Sequence, residues 1–321
     1  MAFSKFGIAL GAALISLPMA AAQADPNTPI SSSGEDFSAV EVSGGGWKSR
    51  SYSGTTESLE LGVVEDALSS VAGGELSADN LAWLATLKPM TAPTGTESII
   101  GADQRKQIGN TKKYPYRAVV LITFNTPGGG ARCTGWMISK DTVATAGHCV
   151  YDPGVGFYST GSYLIRPGFT GASAPFGQCN ARTLHTVTGW ANGGDDQYDY
   201  GAIKLDCNVG SKVGWFGYFW TKKDKKLKRK VKIAGYPGDK PLTQWYSKGK
   251  VKVVQKRRVF YKNDTTGGMS GSPVYTKMKG CNPCSMAVHA YGTYGSPPFS
   301  TYNHGTRITK KVFKNFKKWK K

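Results

Sequence analysis

Glutamate is missing from most of this 321-residue chain. Its seven copies, Glu35, Glu41, Glu57, Glu60, Glu65, Glu75 and Glu97, all precede Ser98, and the 224 residues from Ser98 to Lys321 hold none. At ordinary composition, roughly a dozen would be expected there. Avoidance of negative charge does not explain the gap, because the same stretch keeps ten Asp. A protein that cuts polypeptides after Glu would have reason to carry none in its mature body, and Glu97 lies where such a body would be cut free. The rival account is drift toward basic composition.

Long apolar runs are also scarce. The one at the N-terminus, Phe6 to Ala22, follows Lys5 and is broken by Pro18, and Ala22-Gln23-Ala24 fits a small-residue cleavage pattern. Residues 1–24 therefore read as a signal peptide, and the chain as secreted. No other stretch is apolar enough to span a bilayer. Residues 25–97 are rich in Ser and Gly, as in Ser31-Ser32-Ser33-Gly34 and Ser43-Gly44-Gly45-Gly46. They carry eleven acids against Lys48, Arg50 and Lys88, a balance of about −8, whereas residues 98–321 set 37 Lys and Arg against ten Asp, about +27. This sign reversal reads as an acidic propeptide over 25–97, held partly by charge against a body spanning 98–321. An acidic disordered leader without inhibitory role is the alternative. The apolar spacing of Leu59 to Val71 predicts one helix.

Cysteine is sparse but even in number: Cys133, Cys149, Cys179, Cys207, Cys281 and Cys284. In an exported chain these are expected to form disulfides, with fifteen pairings open. Cys281 and Cys284 form a lone CxxC without a second pair, so neither a metal nor any other cofactor is expected. Short β-rich runs recur at Arg117 to Asn125, Thr134 to Ser139, Thr142 to Thr145, Gly201 to Leu205, Lys230 to Ala234, Lys250 to Val254 and Met286 to His289. Turn residues separate them, which predicts an all-β fold. Val312, Phe313, Phe316 and Trp319 have helical spacing and predict a C-terminal α-helix.

Three motifs stand in order: Thr145-Ala146-Gly147-His148-Cys149, Asp199-Tyr200-Gly201-Ala202-Ile203-Lys204-Leu205, and Thr265-Thr266-Gly267-Gly268-Met269-Ser270-Gly271-Ser272-Pro273-Val274. A serine hydroxyl is a weak nucleophile and needs a hydrogen-bonded base, for which imidazole is suited near neutral pH. A carboxylate behind the ring fixes its tautomer. Glycines beside the serine let backbone N–H groups converge on a developing oxyanion. Asp195 and Asp196 are weaker candidates than Asp199 because no strand follows them directly. Ser272 is the weaker serine, and His185 and His304 have no comparable setting.

These flanks resemble the chymotrypsin-fold serine proteases, and more closely their bacterial glutamyl endopeptidase branch. The likeness covers about Ser98 to Lys321, including Ser98-Ile99-Ile100-Gly101, Ala287-Val288-His289 and Tyr302 to Thr309. It implies two antiparallel six-stranded β-barrels closing on a cleft. Ser270 would be the nucleophile, His148 the general base and Asp199 its orienter, with Gly268 and Ser270 N–H groups forming the oxyanion hole. A Cys133–Cys149 bridge is implied, and Cys179–Cys207 and Cys281–Cys284 are the remaining pairings favoured. The pocket for a substrate glutamate would be built from His289, Thr265 and the α-amino group of Ser98, freed by cleavage after Glu97. Imidazolium and ammonium would then neutralise the buried carboxylate. Animal relatives carry an aspartate before the nucleophile that pairs with the new N-terminus; here that position is Met269, which leaves the amine for the pocket. Cutting after Asp is expected to be weak.

The densest charge run, Lys222 to Lys230, reads as a solvated loop, and the lysine-rich terminal helix as packed on the second barrel. Expected partners are protein or peptide substrates, the chain's own propeptide and anionic surfaces, with no specific nucleic acid, in a monomer. Two rival functions are a cationic surface-binding or antimicrobial protein on a protease scaffold, and a serine protease of broader specificity.

Overall fold

The computed structural model describes residues 24–34, 73–91 and 97–321. The signal segment, the helix expected over Leu59 to Val71 and most of the acidic leader lie outside the described residues.

The body is two closed six-stranded antiparallel barrels. The first is built from β1 (Val119–Thr126), β2 (Gly129–Met137), β3 (Thr142–Thr145), β4 (Leu164–Pro167), β5 (Cys179–Val187) and β6 (Gly201–Leu205). Its order is β5-β4-β1-β2-β3-β6, closed by pairing of β6 with β5. The second comprises β7 (Lys230–Gly235), β8 (Trp245–Val254), β9 (Arg258–Tyr261), β10 (Pro273–Met278), β11 (Cys281–Tyr291) and β12 (Asn303–Arg307). It runs β11-β10-β7-β8-β9-β12 and closes between β12 and β11. Closure leaves the barrels without the free edges that invite association. In β1, Val119 to Phe124 are all buried, so that strand reads as a continuous apolar run rather than an alternation.

Each barrel has its own core. Trp136, Ile122 and Val143 fill the first, while Val231, Ile233, Met286 and Met269 fill the second. Met269, the residue before Ser270, is thus a core side chain, as expected of a chain lacking the animal aspartate. Three disulfides join Cys133 to Cys149, Cys179 to Cys207 and Cys281 to Cys284, and no cysteine is free.

The terminal helix, Lys310–Trp319, is capped by Thr309 Oγ1, which accepts from Val312 N at 3.4 Å. Its apolar stripe is buried, but against a different surface from the one expected. Phe316 meets Trp136 of β2 and Tyr200, and Trp319 stacks on His185 of β5, so it packs chiefly on the first barrel. Those aromatic rings supply the large apolar area that its stripe requires.

The described residues before Glu97 are integrated into the body. Pro29–Ser31 pairs with β5, Gly74–Glu75 with Ser173–Ala174, and Lys88–Pro89 lies parallel to β2 at Ala131 and Arg132. A helix, Ala78–Thr86, is capped by Ser77 and buries Leu84. Among these residues, docking is chiefly strand pairing and apolar burial. One ion pair, Lys311 Nζ to Asp25 at 2.6 Å, is exposed and contributes little.

Candidate active site

The three motifs meet where the barrels face one another. After β3, a turn at Gly147–Cys149 carries His148, and Asp199 precedes β6. Because β6 pairs with β3 at Gly201 and Thr145, the two side chains are brought to the same end of the sheet. Asp199 Oδ2 lies 2.7 Å from His148 Nδ1, and Asp199 Oδ1 accepts from His148 N at 2.9 Å. Both groups are buried. Burial alone would raise the Asp199 carboxyl, but the charge and hydrogen bonds of His148 hold it below the usual carboxylate range. Burial would conversely lower His148, yet Asp199, aided by Glu97, raises it. The rival acids are engaged elsewhere: Asp196 pairs with Arg258 and accepts from Tyr294 OH at 2.8 Å, and Asp195 caps Gln197 N.

Ser270 lies in the turn before β10. Gly268 there has φ +90° and Gly271 φ +89°, and a Cβ at Gly271 would stand 2.0 Å from Thr134 O, so this turn excludes other residues on both counts. Gly271 N donates to His289 O at 2.7 Å and His289 N to Ser272 O at 2.9 Å, tying the serine turn to β11. Ser272 itself lies toward Gly235 of β7. His185 stacks on Trp319, and His304 on Tyr291, so both are buried structural residues.

The expected hydrogen bond between Ser270 and His148 is not formed. Ser270 Oγ instead donates to Glu97 Oε1, and the buried His148 Nε2 has no hydrogen-bond partner among the described residues. Glu97 is 5% exposed, and burial pushes its carboxyl up to about 7 against the hydrogen bond from Ser270. The segment before it covers the second half of the machinery. Gly268 N–H, expected in the oxyanion hole, donates to Met90 O at 3.0 Å, and Met90 N donates to Arg132 O at 2.9 Å.

The three pocket residues are brought together. His289 Nε2 lies 3.9 Å from Glu97 Oε1, and Thr265 N donates to Ser98 O at 3.3 Å. Thr265 Oγ1 is buried without a partner among the described residues. Tyr261 OH lies 2.7 Å from His289 Nδ1. With Tyr261 donating there, the imidazole carries its proton on Nε2, facing the carboxylate. One expectation changes: burial pushes His289 down to about 3, so in this state the ring is a neutral donor rather than an imidazolium.

Sequence reasoning missed Asn303, which grips Ser98 from β12: Ser98 N donates to Asn303 Oδ1 at 3.0 Å, and Asn303 Nδ2 donates to Ser98 O. It also missed Asp264, which accepts from Ile100 N at 2.8 Å and Gln104 N at 2.9 Å. Asp264 carries no local motif, and Asn303, though inside the Tyr302 to Thr309 run, was given no role there. Among the described residues, two groups have spacing suited to a metal, Cys133–His148–Cys149 and Cys179–Asp206–Cys207, and their sulfurs are committed to disulfides.

The trypsin family profile matches residues 104–301, more than half of the chain. The chain belongs to the trypsin family. It is a chymotrypsin-fold serine protease, a hydrolase of peptide bonds. Glutamyl endopeptidase of Bacillus licheniformis is 38% identical over 318 residues, 97% of this chain and 94% of the relative. A Bacillus subtilis protein named extracellular metalloprotease is 34% identical over the same length, covering 97% of this chain and 93% of the relative. A solved structure of Glu endopeptidase in complex with MPD is 31% identical at TM-score 0.61 and covers 69% of this chain and 99% of that one.

Proposed function

We propose that this serine protease cuts after glutamate and matures by cleavage between Glu97 and Ser98, after export directed by residues 1–24. The observation that carries this reading is the chain's own glutamate lodged in the recess, with its carboxylate between Ser270 Oγ and His289 Nε2. The named activity of the B. licheniformis relative points the same way, as does the absence of Glu from residues 98–321.

The chemistry follows from the groups in place. Removal of Glu97 leaves Ser270 Oγ free to turn to His148 Nε2. Oγ attacks the carbonyl carbon after the substrate glutamate, and its proton passes to Nε2 while Asp199 holds the Nδ1–H. The oxyanion takes the Gly268 N–H that Met90 O now occupies, together with the Ser270 N–H; each such donor contributes about 3 kcal/mol to the transition state. The C–N bond then breaks, and Nε2 gives its proton to the departing amine. Water, giving its proton to His148 Nε2, attacks the acyl carbon; the C–Oγ bond breaks and Nε2 returns the proton to Ser270 Oγ.

Cleavage after Glu97 converts the Ser98 amide into an ammonium, and once Glu97 has left, the substrate carboxylate binds at His289 and Thr265 while Ser270 Oγ faces the substrate carbonyl. His289 Nε2–H and Thr265 Oγ1–H donate to it, and the ammonium supplies the charge. A substrate aspartate, one methylene shorter, reaches these groups less well, consistent with ten Asp retained in the body.

The test combines N-terminal sequencing of the secreted protein with peptides differing only before the cleaved bond. The expected results are a mature chain beginning at Ser98 and a kcat/KM for Glu at least about a hundredfold above Gln. Equal cutting after Lys or Leu would overturn the reading.

A further inference from the structure

Asn303 meets both the N–H and the C=O of Ser98 and is fully buried at the start of β12, opposite Tyr261 of β9. Its orientation is fixed by its neighbours. Nδ2 donates to Asn263 O at 2.8 Å and to Ser98 O at 2.5 Å. Carbonyls only accept, so the amide nitrogen faces them and Oδ1 is turned toward Ser98 N. Ser98 Oγ is held in turn by Thr293, at 2.9 Å from its Oγ1. The position of Ser98 N is therefore set before any cleavage, by a group that outlasts it.

The chemistry of that group matters as much as its position. An amide oxygen accepts a hydrogen bond from an ammonium without cancelling its charge. A carboxylate at the same point would form an ion pair and leave little field for a second anion. The acid on this segment, Asp264, is committed to the N–H groups of Ile100 and Gln104. Burial holds His289 below its ordinary value, so an ammonium at Ser98 N, beside Asn303 Oδ1, would supply the pocket's positive charge.

We propose that Asn303 is a specificity-determining positioning residue: it seats the Ser98 amine as an unneutralised cation and so selects an acidic side chain before the cleaved bond. This rests on the reading that Ser98 begins the mature chain and that its amine serves the pocket.

The test uses the mature enzyme and paired peptides with Glu or Gln before the cleaved bond. Asn303→Asp should raise KM for the Glu peptide and reduce the Glu-to-Gln selectivity at least about tenfold, with kcat/KM on the Gln peptide held within about threefold. Asn303→Leu, which removes the bonds without adding charge, should also weaken selectivity through KM. It keeps the question open to experiment if an aspartate facing two carbonyls prevents folding. Labelling of Ser270 by a neutral sulfonyl fluoride should proceed at the wild-type rate in both variants, a readout that general misfolding would change. Selectivity retained within about twofold in either folded variant, or equal losses on both peptides, overturns the assignment. A wild-type enzyme without Glu preference, or one not beginning at Ser98, overturns the underlying reading instead.

Discussion

Thr265 Oγ1 is buried and lacks a partner among the described residues. Such a group costs about 1–3 kcal/mol unless something supplies the bond, and a ligand carboxylate would. Thr265→Val, nearly the same shape, should therefore lower kcat/KM for a Glu peptide about ten- to a hundredfold while leaving a Gln peptide little changed; peptide kinetics checks this. Glu97 offers a pH test. Its carboxyl is raised to about 7 from 4.5 by burial in the docked segment. The docked form is thus favoured fully below 4.5, and that advantage is lost as pH rises through 7. Labelling of Ser270 by a neutral sulfonyl fluoride, taken as the ratio of precursor to mature enzyme, should rise between pH 5 and pH 8, and Glu97→Gln should flatten that rise. At this scale the sequence was legible where a residue came with its flank: His148, Asp199, Ser270 and His289 each sit in a recognisable run. Asn303 was not, because its partner Ser98 lies 205 residues away and the Tyr302 to Thr309 run around it does not show that contact.

Strands were legible where apolar residues alternate or run together, as in Val119–Thr126 and Gly201–Leu205. Asn303–Arg307 was not read as a strand because Asn-His-Gly-Thr-Arg contains no aliphatic residue, yet all five residues are buried. Its place comes from partners on β9 and β11, a tertiary cause that local pattern does not carry. The helix Ala78–Thr86 has its signal in the Ser77 cap. The segment Lys88–Thr91 and Glu97 also bear on maturation. Glu97 presents its carboxylate, not its carbonyl, to Ser270, while the following amide is held at Asn303. The docked precursor is therefore not arranged to cut itself, and the first cut should come from another molecule. Added mature enzyme should cleave a Ser270→Ala precursor at Glu97–Ser98, and wild-type conversion should accelerate with protein concentration. Conversion at a rate independent of concentration would contradict this.

The chain as a whole carries a formal charge of +20. Lys230, Lys232, Lys248 and Lys250 line an open groove on the second barrel, and on the proposed specificity this positive charge would favour acidic substrates. Raising salt from about 0.05 to 0.5 M should lower kcat/KM on an acidic peptide several-fold and barely affect a neutral one. Stopped assays across that range check it. The two-barrel design itself was supplied by family resemblance, since strand periodicity alone shows only many short strands. The central claim is that the recess selects glutamate. Digesting a denatured protein mixture with the mature enzyme and identifying every new terminus by mass spectrometry tests it most directly. The account predicts cuts overwhelmingly after Glu, with a minor share after Asp; termini spread over basic and apolar residues would contradict it.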